Sequence, residues 1–200
     1  MIRIGLVMLQ GARHVHIEAL NKAAEALDLN IEIQELRKAS DLHSTSPHAL
    51  VIPGGESTTM RLTGNDPTSQ LLPAVFKWIR HNLDKPVLGT CAGAILLCDP
   101  QDGGKPLISA DIDRNAYGRQ VDSFQGNLES ELLGRNFPGV FIRAPRFVKL
   151  SDSIKVAVMH ENEAVGVLEH NRLALTFHPE LSGDTGFHEW LLQRAKEFSQ

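Results

Sequence analysis

Pro86-Val87-Leu88-Gly89-Thr90-Cys91-Ala92-Gly93-Ala94-Ile95-Leu96-Leu97 reads as a short buried strand that turns at once into a helix. Gly-x-Cys-x-Gly at that turn has the form of a nucleophile elbow, whose tight bend tolerates only small neighbours around the central side chain. The turn places the Cys91 sulfur at the carboxyl edge of a sheet. The helix that follows begins with unpaired N–H groups and the positive end of its dipole, and both favour a thiolate.

Working outward, the chain alternates strands and helices. Ile2 to Leu9 is an almost unbroken apolar run, as a parallel strand covered on both faces requires. Ile17, Leu20, Ala24 and Leu27 recur at helical spacing from about His14. Ile31 and Ile33, with Glu35-Leu36 left open as their continuation, give a short second strand, and Leu50-Val51-Ile52 a third, stopped by Pro53-Gly54-Gly55. Leu71, Leu72, Val75, Phe76, Ile79 and Leu83 mark a helix with Pro73 in its first turn, where a missing N–H is tolerated. This alternation predicts a doubly wound α/β sheet, with its site beyond the carboxyl ends of the strands.

Past Asp99 the pattern changes. Ile108 to Ile112, Val121 to Leu128, Val140 to Ile142, Phe147 to Leu150, Val156 to Met159 and Val165 to Leu168 read as short strands. They are expected as antiparallel additions to the same mixed sheet, so residues 1–200 are expected to form a single domain. Leu173 to Phe177 is a further buried strand that delivers His178 to its end. Phe187, Trp190, Leu191, Ala195 and Phe198 form a closing helix capped by Asp184.

Composition narrows the function classes. The 200 residues carry 20 basic and 24 acidic side chains, a net charge of −4, with no run of like charge. Neither nucleic acid nor a membrane surface is expected as a partner. Cys91 and Cys98 lie seven apart without a Cys-x-x-Cys pair, so no metal, no other cofactor and no disulfide is expected, and the reducing cytoplasm fits best. The first segment is short and carries Arg3, unlike a signal peptide. No stretch has the length to span a bilayer.

Phe177-His178-Pro179-Glu180 supplies the other half of a triad. His178 would take the thiol proton and return it to a leaving nitrogen, while Glu180 orients the imidazole and stabilises its cation. On an extended segment the two side chains would project to the same side. The oxyanion formed on attack needs two donors, for which the amide of Ala92 and one from Gly54 or Gly55 are the candidates. Of the other histidines, only His14 and His16 sit near an expected site loop.

Several blocks resemble the class I, or triad, glutamine amidotransferases, and more narrowly the glutaminase subunits of pyridoxal 5′-phosphate synthases. They are Leu9-Gln10-Gly11-Ala12, Pro53-Gly54-Gly55-Glu56-Ser57-Thr58-Thr59-Met60-Arg61, the elbow, Arg114 through Phe124, Gly139 through Pro145, and Phe177-His178-Pro179-Glu180-Leu181. The elbow and His-Pro-Glu fit any class I glutaminase; the other blocks are more specific. The resemblance implies a flavodoxin-like three-layer fold and hydrolysis of L-glutamine through a thioester on Cys91, with catalytic residues Cys91, His178 and Glu180. It places Gly55, Glu56, Ser57, Arg114, Ile142 and Arg143 at the glutamine site. It further implies a separate (β/α)8-barrel synthase that uses the ammonia, with ribose 5-phosphate and glyceraldehyde 3-phosphate, to make pyridoxal phosphate. Gln10 and Gly11 are the candidates for relaying that partner's docking. The alternatives at this point are a glutaminase serving another synthase, such as that of imidazole glycerol phosphate, a cysteine peptidase, and a scaffold with a dead site.

Overall fold

The computed structural model describes residues 1–11, 13–114 and 123–199. Ala12, Asn115–Asp122 and Gln200 lie outside the described residues, so the expected strand start at Val121 and most of the Arg114–Phe124 block do too.

Nine strands form one continuous sheet. Five of them, β1 (Ile2–Val7), β2 (Ile31–Leu36), β3 (Ala49–Ile52), β4 (Val87–Thr90) and β11 (Arg172–Leu175), run parallel in the order β2-β1-β3-β4-β11. With β11 counted as the fifth strand, this is the flavodoxin-like order, whose switch point falls between β1 and β3. Every residue of β3, β4 and β11 is buried, which is why these segments read as continuous apolar runs rather than alternating ones.

The sheet continues antiparallel through β10 (Glu163–Glu169), β9 (Lys155–His160), β6 (Ser123–Ser130) and β7 (Arg135–Ile142). The expected additions are therefore present, with one correction. Among the described residues, β5 (Ala110–Asp113) and β8 (Arg146–Leu150) do not join this sheet; they pair with each other in a separate two-stranded ribbon. Only Ala110 of these nine residues is fully buried, as suits a ribbon that lies outside the main sheet.

Helices cover both faces. α1 (Arg13–Ala26) and α6 (Gly186–Lys196) pack on one side through Leu20, Ala23, Phe187 and Leu191. α2 (Ala39–Thr45), α3 (Ser57–Gly64), α4 (Leu71–His81) and α5 (Ala92–Cys98) cover the other through Leu42, Met60, Phe76 and Leu96. The α4 helix ends before Leu83, which is exposed. The α3 helix was not expected: its eight residues carry little apolar pattern, and the Glu56 cap rather than hydrophobic spacing defines its start. At α6 the residue preceding the helix is Thr185, yet the Asp184 carboxylate accepts the Gly186 N–H at 2.8 Å, close to its expected capping role.

Candidate active site

The chain turns from β4 to α5 within one residue, and Cys91 bears the turn. Its φ of 50° and ψ of −108° lie where non-glycine residues are rarely found, a local strain of the kind held by surrounding structure at functional sites. Two anchors hold it: the Cys91 N–H donates to the Leu175 carbonyl at 2.8 Å, and the Cys91 carbonyl accepts from Ala94 at 3.1 Å. Gly93 is required by backbone contact, since a Cβ there would sit 2.0 Å from the Ile52 carbonyl oxygen. The small residues of Gly-x-Cys-x-Gly thus let α5 start directly against the end of β3.

His178 arrives three residues after β11. Its N–H donates to the Val140 carbonyl at 2.8 Å, tying the loop to β7. His178 Nδ1 lies 2.8 Å from Glu180 Oε1. The expected contact is present, but its expected origin is corrected: Pro179–Leu181 is a turn of 3₁₀ helix, not an extended segment. Pro179 opens that turn, and the tighter backbone curls the carboxylate back under the ring.

Burial alone would pull the His178 pKa down. Hydrogen bonds to Cys91 and Glu180 and their negative charge outweigh it and raise the pKa to about 10. Burial pushes Glu180 the other way, upward, and bonds from His16 and His178 overcome that, holding the carboxyl well below its usual range. The buried carboxylate and the neighbouring sulfur thus both favour the cationic form of the ring. An imidazolium beside Cys91 is the counter-ion a thiolate needs.

A cleft of about 300 Å³ opens onto these groups, lined by Gly11, Pro53, Gly54, Gly55, Cys91, Ile142, Arg143, His178 and Glu180 among others. Gly54 is wedged against the chemistry: a Cβ there would lie 2.7 Å from His178 Cε1 and 3.2 Å from Cys91 Cβ. Across the cleft, Cys91 Sγ lies 3.9 Å from the Ile142 carbonyl oxygen, and Arg143 adopts a φ of 45° where β7 ends. The Ala92 amide is the first of α5, one of the helix donors without an intrahelical acceptor.

The remaining expected site residues lie beside the cleft rather than in its wall. Both Glu56 oxygens are occupied in capping α3: they accept the Thr58 and Thr59 N–H groups at 2.9 and 2.7 Å, which lowers its pKa to about 2. Ser57 is buried at the start of α3. Arg114 donates to the Thr58 hydroxyl at 2.9 Å, which places its guanidinium at the same helix end. Gln10 spans the gap, its Oε1 accepting the Glu56 N–H at 2.6 Å. Gly11, at φ 96°, packs so closely that a Cβ would fall 2.3 Å from the Gly54 carbonyl oxygen.

A model of the SNO glutamine amidotransferase family matches residues 6–197. The chain belongs to this family. Relatives in it include the pyridoxal 5′-phosphate synthase subunit PdxT of Thermococcus onnurineus, 41% identical over 98% of this chain and 100% of its own. The subunit of the same name from Actinobacillus pleuropneumoniae is 40% identical over 97% of this chain and 96% of its own. A crystal structure of a glutamine amidotransferase superposes with a TM-score of 0.82 at 36% identity, covering 96% of this chain and 98% of that one. A glutamine amidotransferase of Thermotoga maritima, 14% identical with a TM-score of 0.60, shares the fold.

Within this glutamine amidotransferase frame, sequence reading marked His16 only as near a site loop and missed His188, and the structure places both behind His178 and Glu180. His16, 1% exposed on α1, places Nε2 at 3.3 Å from Glu180 Oε1 and 3.4 Å from the Thr90 hydroxyl. His188, fully buried on α6, lies behind it, with Nε2 at 3.2 Å from His16 Nδ1. The signal was available: His16 shares a helical face with Ala19, Leu20 and Ala23, and His188 sits between Phe187 and Leu191. A polar residue on an apolar helix face must find a buried partner.

Proposed function

We propose that this chain is the glutaminase subunit of a pyridoxal 5′-phosphate synthase, acting in vitamin B6 biosynthesis in the cytoplasm. L-Glutamine enters the cleft and the Cys91 thiolate attacks its side-chain amide carbon. The oxyanion is received by the Ala92 amide and an amide of Gly54 or Gly55. The C–N bond then breaks, His178 gives its proton to the departing nitrogen, and ammonia leaves a thioester on Cys91. Water, deprotonated by His178, hydrolyses the thioester to glutamate and frees the thiolate. Ammonia passes to a separate (β/α)8-barrel synthase subunit, where it joins ribose 5-phosphate and glyceraldehyde 3-phosphate. Gly55, Glu56, Ser57, Arg114, Ile142 and Arg143 hold the glutamine. Family membership and the names of full-length relatives support the assignment. The observation that carries the chemistry is the 2.8 Å His178–Glu180 contact beside a strained Cys91 on one cleft.

Hydrolysis that ran without an acceptor would waste glutamine, so the subunit is weak alone and activated by docking. A Cβ on Gly11 would fall 2.3 Å from the Gly54 carbonyl oxygen and Gln10 Oε1 accepts the Glu56 N–H, so the two loops abut, which supports Gln10 and Gly11 as the relay. The test is glutamate release by the purified chain with and without its barrel synthase. Release that rises on adding the synthase is expected. Cys91→Ala should abolish it while leaving pyridoxal phosphate synthesis from added ammonia intact. No release in either case, with folded protein and reduced Cys91, would refute the reading.

A further inference from the structure

Glu180 is a buried carboxylate, 4% exposed, that lives on a single oxygen. Its Oε1 meets His178 Nδ1 at 2.8 Å and His16 Nε2 at 3.3 Å. Its Oε2 is buried and has no hydrogen-bond partner among the described residues. Half of the polar support for this carboxylate thus comes from α1, an element that contributes nothing else to the triad.

The hydrogen-bond directions follow from the donors available. Glu180 is ionised, so Oε1 only accepts, and a bare lone pair on His16 Nε2 would face lone pairs. His16 Nε2 therefore carries its proton and donates to Glu180. The Thr90 hydroxyl, 3.4 Å from the same nitrogen, shares that proton or turns away. On the far side, His188 is neutral, since burial pushes its pKa down to about 3. One of its nitrogens is a donor and the other an acceptor. Its Nδ1 has no partner among the described residues, so the proton belongs on Nε2, which donates to His16 Nδ1. A single direction of donation runs from α6 through α1 to Glu180.

Resting on the triad reading above, we propose that His16 is a positioning residue for Glu180 and that His188 fixes the tautomer His16 needs. The titratable groups acting on this chain of contacts are the members themselves. Glu180 feels His16 and His178, His178 feels Cys91 and Glu180, and His188 feels His16 and Glu180. Without His16, Glu180 would lose one of its two donors and protonate more readily. Its hold on the His178 cation, and so on the Cys91 thiolate, would weaken.

The experiment compares His16→Leu, His16→Asn and His16→Gln in complex with the synthase. Glutamine has an amide N–H₂ near the position of imidazole Nε2, whereas asparagine can reach only the Nδ1 position. His16→Leu and His16→Asn should lower kcat by roughly 10- to 100-fold, the effect of one charge-assisted hydrogen bond. KM for glutamine should stay nearly constant, because His16 borders the cleft but is 1% exposed and acts through Glu180. The acid limb of the pH profile should move to higher pH, and His16→Gln should restore both kcat and the profile. His188→Leu should lower kcat by less. Equal kcat and equal pH limbs in parent, Leu and Asn variants would overturn the His16 role; an unchanged His188→Leu would overturn the tautomer role.

Alkylation of Cys91 by iodoacetamide reads the same network without glutamine. Cys98, pushed by burial up to about 12, stays silent. In His16→Leu the labelling midpoint should rise in pH, and an unmoved midpoint would overturn the proposal whatever the substrate. Absence of glutamine hydrolysis by the parent complex would sink the glutaminase reading instead, and the labelling result would still decide this one.

Discussion

Gly54→Ala tests whether the cleft works by close approach. Gly54 is not among the glycines with positive φ, so alanine fits its backbone and only the new methyl matters. That methyl would lie 2.7 Å from His178 Cε1 and 3.2 Å from Cys91 Cβ. Carbon atoms rest at about 3.5 Å or more, so the imidazole must retreat by roughly 0.8 Å. A misplacement of about 1 Å at a reacting group costs on the order of 10²-fold in rate, which sets the expected loss in kcat. Overpacking should cost about 1–3 kcal/mol of stability. Glutamate release in the synthase complex gives the rate, and denaturant melts give the stability. Gly103→Ala is the control: its φ of 77° brings backbone strain, but nothing lies within 4 Å of the new methyl. It should lose stability and keep kcat. A Gly54→Ala enzyme with the parent's kcat would refute the claim that this glycine is dictated by the triad.

Two further outcomes concern stability. The Arg61 guanidinium, 8% exposed, donates to the carbonyls of Pro100 at 2.8 Å and Asp99 at 2.5 Å, pinning the loop after α5. Arg61→Met leaves both carbonyls without that donor and should destabilise by about 2–4 kcal/mol in chemical denaturation. The pH dependence has opposite signs at the two histidines. Burial opposes the His178 charge, but its bonds to Cys91 and Glu180 raise its pKa from 6.5 to about 10. Their contribution is full below pH 6.5 and is lost as pH rises through about 10. Burial lowers His188 from 6.5 to about 3. As pH falls through that window the unfolded chain takes a proton the fold refuses, and stability declines. Denaturant melts of His188→Leu should show a flatter acid side and an unchanged alkaline side; a parent-like acid slope would contradict this.

Much of the architecture was legible because most of the parallel strands are buried on both faces. Ile2–Val7, Ala49–Ile52 and Arg172–Leu175 announce themselves as apolar runs, and the elbow between β4 and α5 is written in side-chain size. Two features stayed hidden for physical reasons. The separation of β5 and β8 from the main sheet depends on which edges pair, a long-range choice that strand composition does not encode. The α3 helix exists because a carboxylate caps it, and a cap reads as a loop residue when the apolar pattern behind it is weak. At the site, residue types foretold the His178–Glu180 contact but not its backbone: proline led the segment into a 3₁₀ turn. His16 was legible only as a histidine near a site loop, and His188 not at all, because each is one polar residue on an apolar helix face. Their meaning appears once α1 and α6 pack together on one side of the sheet.

That packing also explains where the molecule tolerates unfavourable structure. Among the described residues, Glu180 Oε2 and His188 Nδ1 are buried without partners, each costing about 1–3 kcal/mol, and the Cys91 backbone adds roughly 1–3 kcal/mol of strain. An all-apolar interior at these positions would be more stable. These costs converge on one edge of the sheet, behind β4 and β11, whose residues are all buried. Packing of that density resists adjustment, so the strained elbow and the half-satisfied carboxylate cannot relax into ordinary geometry. Rigid strands thus keep the Cys91 sulfur, the His178 ring and a buried carboxylate in an arrangement that a softer scaffold would release.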